Sequence, residues 1–423
     1  VPSRLTIRRA DVALALIAYL VFDGLSHGWF DLRWGSYASL TAFATLVCLV
    51  LVVTEGVAER RRFDRMLSPA FVVLAIFIGV VAVSASTLGA GFDFSFAKNL
   101  IIASTIIMFV RDGSGIRVVL GAAAVAGIVQ LGFGAAQLVS QGMPAEGLTG
   151  FLPNHVQYGL YLSVSAIAAF PLVHASKDLR VRSVGYATIA LIGIGSVASL
   201  ARGAVLSAAG AVLVTAAAVM HDRKRVVLVA LAVTIALTAI IGLSGRFSEL
   251  AELPQAVGDV EKLDSLLTSR LQFLVGAWNM FEESPVFGAG YGRYREVWYQ
   301  YVPEDILNPW SVGVPFAAHS TYLQIMAEMG LVGLVTYLLV LGTSLVTGVK
   351  ASRRATGTFV RLAAASAVGC VLVFAFHGLL DNGGWHDRPF YVFVALCVAV
   401  WHSVRDADGT GEGAPAITAG AEE

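Results

Sequence analysis

Apolar runs of about 20 residues recur along almost the whole of this 423-residue chain. A helix rises 1.5 Å per residue, so such a run spans the ~30 Å hydrocarbon core of a bilayer. In that solvent each backbone N–H and C=O must find its partner inside the protein, which leaves only helix bundles and closed barrels. A barrel would show short segments of alternating polarity, and the sequence has none. Charge agrees with this: 14% of residues are Asp, Glu, Lys or Arg, against about 25% in a soluble domain. The sequence therefore predicts an all-α polytopic membrane protein.

About twelve spans are expected, near 10–29, 37–55, 69–88, 97–110, 118–140, 157–174, 184–200, 204–220, 226–243, 321–347, 362–380 and 390–404. They divide the chain into nine transmembrane helices over 1–243, one large loop over 244–318, three further helices over 319–405 and a tail over 406–423. The tail is rich in Gly, Ala and Glu and reads as disordered. The first ten residues are short and basic and run straight into the first span, so no cleavable signal peptide is expected. Cys48, Cys370 and Cys397 all fall within expected spans, where they read as small apolar packing residues.

Lys and Arg placement sets the orientation. With the N-terminus inside, twenty of the 29 basic residues fall in inside segments, including Arg60, Arg61 and Arg62, then Arg223, Lys224 and Arg225, then Arg353 and Arg354. Of the nine that remain, Arg246, Lys262, Arg270, Arg293 and Arg295 share the large loop. Both termini are then cytoplasmic and the loop is outside, periplasmic in a Gram-negative cell. A formal net charge of +0 suggests no nucleic-acid partner.

The outside face gathers the residues able to do chemistry. Arg202 stands at the tip of the hairpin between the seventh and eighth spans. A charge at a span edge either anchors in the headgroups or serves function, and the guanidinium fork matches phosphate. Arg270 borders an amphipathic stretch, 263–281, whose Leu267, Leu271, Leu274, Trp278 and Phe281 share one face suited to a membrane surface. Its side chain points either inward to an anion or outward to water. His319 opens the tenth span, where a histidine serves as a general base or as a cap. Lys98, at the outer end of the fourth span, is either a spare cation or an interfacial anchor. Gly288, Gly290 and Gly292 form a triplet that follows no strand, and no ATP is present outside, so it reads as a tight turn rather than a nucleotide motif. His377, Asp381 and His386 cluster near the end of the eleventh span. They lack the regular ligand spacing of a metal site, and their roles stay open.

The order of these residues is more telling than any one of them. Arg202 at a hairpin tip is followed by Arg270, Trp278, Met280, Phe281, Pro285, Phe287 and the three glycines, then by His319, Tyr322, Leu323, Glu328, Gly330 and Gly333 leading into a span. Over about residues 150–335 this resembles the O-antigen ligase / O-antigen polymerase superfamily. The span number, the inside termini and the single large loop look most like the lipopolysaccharide O-antigen ligase branch. The resemblance implies a GT-C-like glycosyltransferase of the bacterial inner membrane. Such an enzyme moves a glycan from undecaprenyl pyrophosphate to a lipid A–core hydroxyl, with inversion and without metal or other cofactor. It implies that Arg202 and Arg270 hold the pyrophosphate and that His319 is the base, with Asn154, Tyr322 and Lys98 as further substrate-binding residues. The family often has Asn after the histidine where this chain has Ser320. Alternatives are a polymerase of the same superfamily, a protein O-oligosaccharyltransferase and, from a different class, a lipid-linked glycan transporter. Against the last, the sequence shows no pair of interrupted spans and no row of midplane charges.

Overall fold

The computed structural model describes residues 8–26, 39–59, 63–88, 91, 93–220, 222, 224 and 270–409. Within them the helices are α1 (Arg9–Leu25), α2 (Leu40–Ala58), α3 (Pro69–Thr87), α4 (Phe94–Phe109), α5 (Gly113–Gln141), α6 (His155–His174), α7 (Leu179–Ala198), α8 (Arg202–Val219), α9 (Leu271–Glu283), α10 (Arg293–Val297), α11 (Thr321–Arg354), α12 (Thr358–Leu380) and α13 (Arg388–Gly409). Nine of these are long and apolar enough to cross a membrane. The shorter α1 and α4, of 17 and 16 residues, coincide with the expected first and fourth spans. The expected ninth span, 226–243, and the first part of the loop, 244–269, lie outside the described residues.

Short polar side chains set many of the helix starts. Asp112, Asn154, Asp178 and Ser320 each accept a backbone N–H of the first turn, which satisfies donors that have no partner within the helix. The bundle is arranged around α12 and α13. In α12, 72% of the apolar window is buried, against 17% in α7, so α12 is central and α7 presents most of its surface outward. Small residues let the helices approach. A Cβ on Gly348 of α11 would lie 2.5 Å from the Val368 side chain of α12, the close contact on which membrane packing depends. The three cysteines are free and buried, as packing residues are.

Two partly buried ion pairs tie helices of the bundle together. Arg388, at the start of α13, donates to Asp23 of α1 at 2.8 Å, and Thr41 of α2 donates to the same carboxylate oxygen at 2.9 Å. Arg111 donates to Glu55 at 2.9 Å and so ties the end of α4 to α2.

The apolar run at 321–347 reads as one uninterrupted span, but the structure breaks α11 at Gly330 (φ 62, ψ −159). The glycine turn repairs the break. Ala289 and Gly290 donate their backbone N–H groups to the carbonyls of Ala327 and Glu328, each at 2.9 Å. In return, Leu331 and Val332 donate to the carbonyls of Pro285 and Val286, at 2.8 and 3.2 Å. In a continuous helix Leu331 would pair with Ala327 and Val332 with Glu328. Both bonds are thus exchanged for bonds to the turn, so the carbonyls of Ala327 and Glu328 and the N–H groups of Leu331 and Val332 all keep backbone partners. This explains the glycines. A Cβ on Gly288 would lie 2.3 Å from the Glu328 carbonyl carbon, and one on Gly330 would lie 2.3 Å from the Val286 oxygen. The expected tight turn is present, and its role is to splice a broken helix.

The described part of the loop folds into a cap with its own small core of Phe273, Ala277, Met280, Tyr294, Trp298, Val302, Ala318 and Ala327. The expected apolar seam is not the face that packs on this core. The buried face of α9 is Gln272, Phe273, Gly276, Ala277 and Met280, while Trp278 of the seam is 46% exposed. The reason is steric. A Cβ on Gly276 would already lie 3.0 Å from the Trp298 carbonyl, so only the small-residue face can approach the rest of the cap. Residues 263–269 of the expected helix lie outside the described residues.

Candidate functional site

The site forms where three irregular pieces of backbone meet: the residue before α9, the residues before α11 and the turn after α12. His319 has φ 53 and precedes the α11 cap Ser320. That left-handed backbone turns the imidazole away from the helix it introduces. The Nδ1 of His319 lies 3.1 Å from Oδ1 of Asp381, which directly follows α12. The guanidinium of Arg270 donates through Nη2 to Oδ2 of the same carboxylate at 3.3 Å and through Nη1 to the Leu380 carbonyl at 2.8 Å. Asp381 therefore joins the histidine and the arginine, which are far apart in sequence.

The electrostatics follow from this arrangement. Burial would raise the Asp381 carboxyl. The hydrogen bond from His319 and the positive charges of His319 and Arg270 outweigh it and hold the group at about 2. An ionised carboxylate only accepts, so the Nδ1 of His319 carries a proton whether the ring is charged or not, and in the form that acts as a base Nε2 bears the lone pair. Arg270 spends two of its five N–H donors on Leu380 and Asp381. The side chains of Arg270, His319 and Asp381 are 34%, 25% and 16% exposed, which places the cluster at a solvent-accessible edge rather than inside the bundle.

Arg202 borders the same place from the other side. It is the exposed first residue of α8. A Cβ on the adjacent Gly203 would lie 3.5 Å from Leu380 Cβ and 3.6 Å from His377 Nδ1. The first turn of α8 thus packs on the last turn of α12, whose Leu380 carbonyl receives Arg270. The hairpin tip is built to hold this position. The buried Ser199 hydroxyl donates to the Ser196 carbonyl at 2.6 Å and accepts from the Ala201 N–H at 3.1 Å, while Leu200 takes φ 55. Leu200 and His319 are the two non-glycine residues with positive φ among the described residues, and both flank this site. Strain of this kind persists only where surrounding structure enforces it.

The other expected residues lie differently. Asn154 caps α6, accepting the Gln157 N–H at 2.8 Å. The hydroxyl of Tyr322 donates to the Ala375 carbonyl at 2.8 Å and its ring packs on Tyr337, so it ties α11 to α12. Lys98 is a partly buried residue of α4, and no hydrogen bond or ion pair joins it to the His319 cluster among the described residues. Ser320 caps α11 and donates to the Gly378 carbonyl at 3.4 Å, so the serine found where the family often has asparagine serves the backbone.

The open group around the end of α12 divides. Asp381 belongs to the site. His377 is buried within α12. His386 packs on Trp385 with ring centroids 3.8 Å apart and the rings tilted by 42°, and its Nδ1 faces the Tyr291 hydroxyl at 3.4 Å. Burial, then the charge of Arg295, pushes His386 down to about 3, so it is a neutral packing residue. The sequence signal for Asp381 was its place at the end of a span, but nothing in the pattern pointed to its partner.

A family model described as O-antigen ligase matches residues 187–338, a stretch that contains Arg202, Arg270 and His319. No curated protein sequence matches the chain. Over residues 187–338, this polytopic membrane protein is therefore similar to the O-antigen ligase family.

Proposed function

We propose that the protein is a glycosyltransferase that moves a glycan from undecaprenyl pyrophosphate to a sugar hydroxyl of lipid A–core, at the outer face of the bacterial inner membrane. The observation that carries the proposal is the convergence of His319 and Arg270 on Asp381, with Arg202 bordering the same helix end. The family match supports the reaction class. The distribution of Lys and Arg supports the sidedness.

The chemistry follows from the geometry. The acceptor hydroxyl attacks the anomeric carbon, its O–H bond breaks and its proton passes to Nε2 of His319. The bond from the anomeric carbon to the pyrophosphate oxygen breaks, and undecaprenyl pyrophosphate leaves with the electron pair. Asp381 fixes the imidazole tautomer and stabilises the imidazolium that forms. Arg270, through its remaining donors, and Arg202 stabilise the charge growing on the pyrophosphate. This division of labour uses the protein's own side chains and calls on no cofactor.

The test is reconstitution of the purified protein with undecaprenyl-pyrophosphate-linked glycan, with and without lipid A–core, and separation of the products on a gel. Glycan on lipid A–core, with release of undecaprenyl pyrophosphate, is the expected result. Longer lipid-linked chains formed without that acceptor would make the protein a polymerase using the same site. Movement of intact donor across the membrane with no release would make it a transporter.

A further inference from the structure

We infer that Gln324 is a positioning residue for this reaction, its side-chain amide holding the segments that carry His319 and Asp381 at the separation their hydrogen bond requires. The inference rests on the function proposed above and extends it to a residue about one turn into α11 from the chemistry.

The two partners of the pair are 62 residues apart in sequence, and each stands on irregular backbone. His319 has left-handed backbone before α11, and Asp381 is extended after α12. Asp381 keeps only the last rung of the α12 ladder, its N–H donating to the His377 carbonyl at 2.8 Å, and His319 is not fixed by any helical ladder. Gln324 is, because it lies within α11 and is 1% exposed. Its Oε1 accepts from the backbone N–H of Ala318 at 3.2 Å and from Nδ2 of Asn382 at 2.6 Å. Ala318 immediately precedes His319, and Asn382 immediately follows Asp381. One buried oxygen thus bonds to a neighbour of each member of the pair. The backbone N–H of Asn382 in turn donates to Asp381 Oδ1 at 2.7 Å, the same oxygen that faces His319.

The orientation of this amide is dictated by chemistry. A backbone N–H only donates, so the oxygen of Gln324 must face Ala318. Its Nε2 then points to Glu328, one turn along α11, whose Oε1 accepts at 3.1 Å. The indole N–H of Trp385 also only donates, and it reaches Asn382 Oδ1 at 3.3 Å, which turns Nδ2 of Asn382 toward Gln324. The chain from Glu328 through Gln324 to Asn382 therefore has one consistent direction. Glu328 is fully buried and, as an anchor on the same helix, keeps the Gln324 side chain in a single rotamer.

The test uses the full-length protein in the reconstituted transfer assay with undecaprenyl-pyrophosphate-linked glycan and lipid A–core. Gln324→Leu removes both bonds to Oε1, together with the bond to Glu328, at similar volume. Misplacing a reacting group by about 1 Å costs on the order of 100-fold in rate. The expected result is therefore a kcat lowered about 10- to 100-fold, with KM for both substrates unchanged within about twofold. In an Asp381→Asn background the same change costs less than about threefold, because the pair it serves is already broken. A merely structural role would lower kcat by the same factor in both backgrounds, and that result overturns the inference, as does a wild-type kcat for Gln324→Leu. If Gln324→Leu does not fold, Asn382→Ala cuts the same tie from the turn, outside the buried face of α11, and the same two outcomes decide. His319→Ala is measured alongside. Full transfer by that variant removes the proposed base and with it the basis of the inference. Loss of transfer there, with wild-type rates for the Gln324 and Asn382 variants, overturns the positioning role alone.

Discussion

Replacing Asp381 with asparagine changes one atom and tests the centre of the site. The carboxylate oxygens accept from three donors, the Nδ1 of His319, the Nη2 of Arg270 and the N–H of Asn382. An amide has one accepting oxygen and one donating NH2, so either orientation sets NH2 against a donor. The magnitude comes from the carboxyl itself. It is held at about 2 against an ordinary 3.8. A difference of nearly two units is worth about 2 kcal/mol of interaction with the ionised form. The side chain is only 16% exposed, so water screens little of it. If that interaction also orients the imidazole in the transition state, its loss lowers kcat about 30-fold. The assay is the initial rate of glycan transfer at saturating donor and acceptor, paired with the thermal unfolding midpoint in detergent. Stability carries its own sign. The folded carboxyl is depressed, so its contribution is present above the unfolded value near 4 and lost as pH falls toward 2. The variant should therefore unfold at a lower temperature than wild type at neutral pH, and the two midpoints should converge through that acid window. A transfer rate within about twofold of wild type would refute the claim that Asp381 orients the histidine.

Further outcomes are expected. His319→Ala abolishes transfer, lowers the unfolding midpoint by no more than Asp381→Asn does and leaves donor binding near wild type, and retained transfer would remove the base. Arg270→Lys restores little of the activity lost in Arg270→Ala, because one ammonium cannot reproduce the fork that spans Leu380 and Asp381; kcat for both variants decides this. Gly288→Ala lowers the unfolding midpoint sharply. The φ of +71 costs about 1–2 kcal/mol for a residue with a Cβ, and the 2.3 Å approach forces apart two 2.9 Å backbone bonds worth about 1 kcal/mol each. A midpoint equal to wild type would show that the splice at Gly330 is dispensable.

Much of this protein was legible before any coordinates. The solvent imposes helices about 20 residues long, so hydropathy alone placed α2, α3, α5 to α8 and α11 to α13 close to where they occur. Capping chemistry is local, and Asp112, Asn154 and Ser320 mark boundaries that can be read from adjacent residues. The order of arginines and histidine picked out segments that the fold does bring near one another, since Arg270 and His319 both reach Asp381 and Arg202 borders them.

What stayed hidden depends on contacts between distant segments. A broken helix has the same hydropathy as a whole one, so the break at Gly330 is invisible until the turn at 285–290 is seen to take over its hydrogen bonds. The apolar seam of α9 was real as a pattern, but which face is buried depended on how near Trp298 comes to Gly276. Asp381 is the clearest instance. Composition placed an acid at the end of a span, and periodicity says nothing about a residue in irregular backbone. Only the packing of α12 against α11 and the cap decided that its carboxylate meets a histidine and an arginine from two other segments. Helix formation in a membrane is a property of each segment and its solvent. A constellation of side chains belongs to the assembled bundle, because the distances that define it cross from one segment to another.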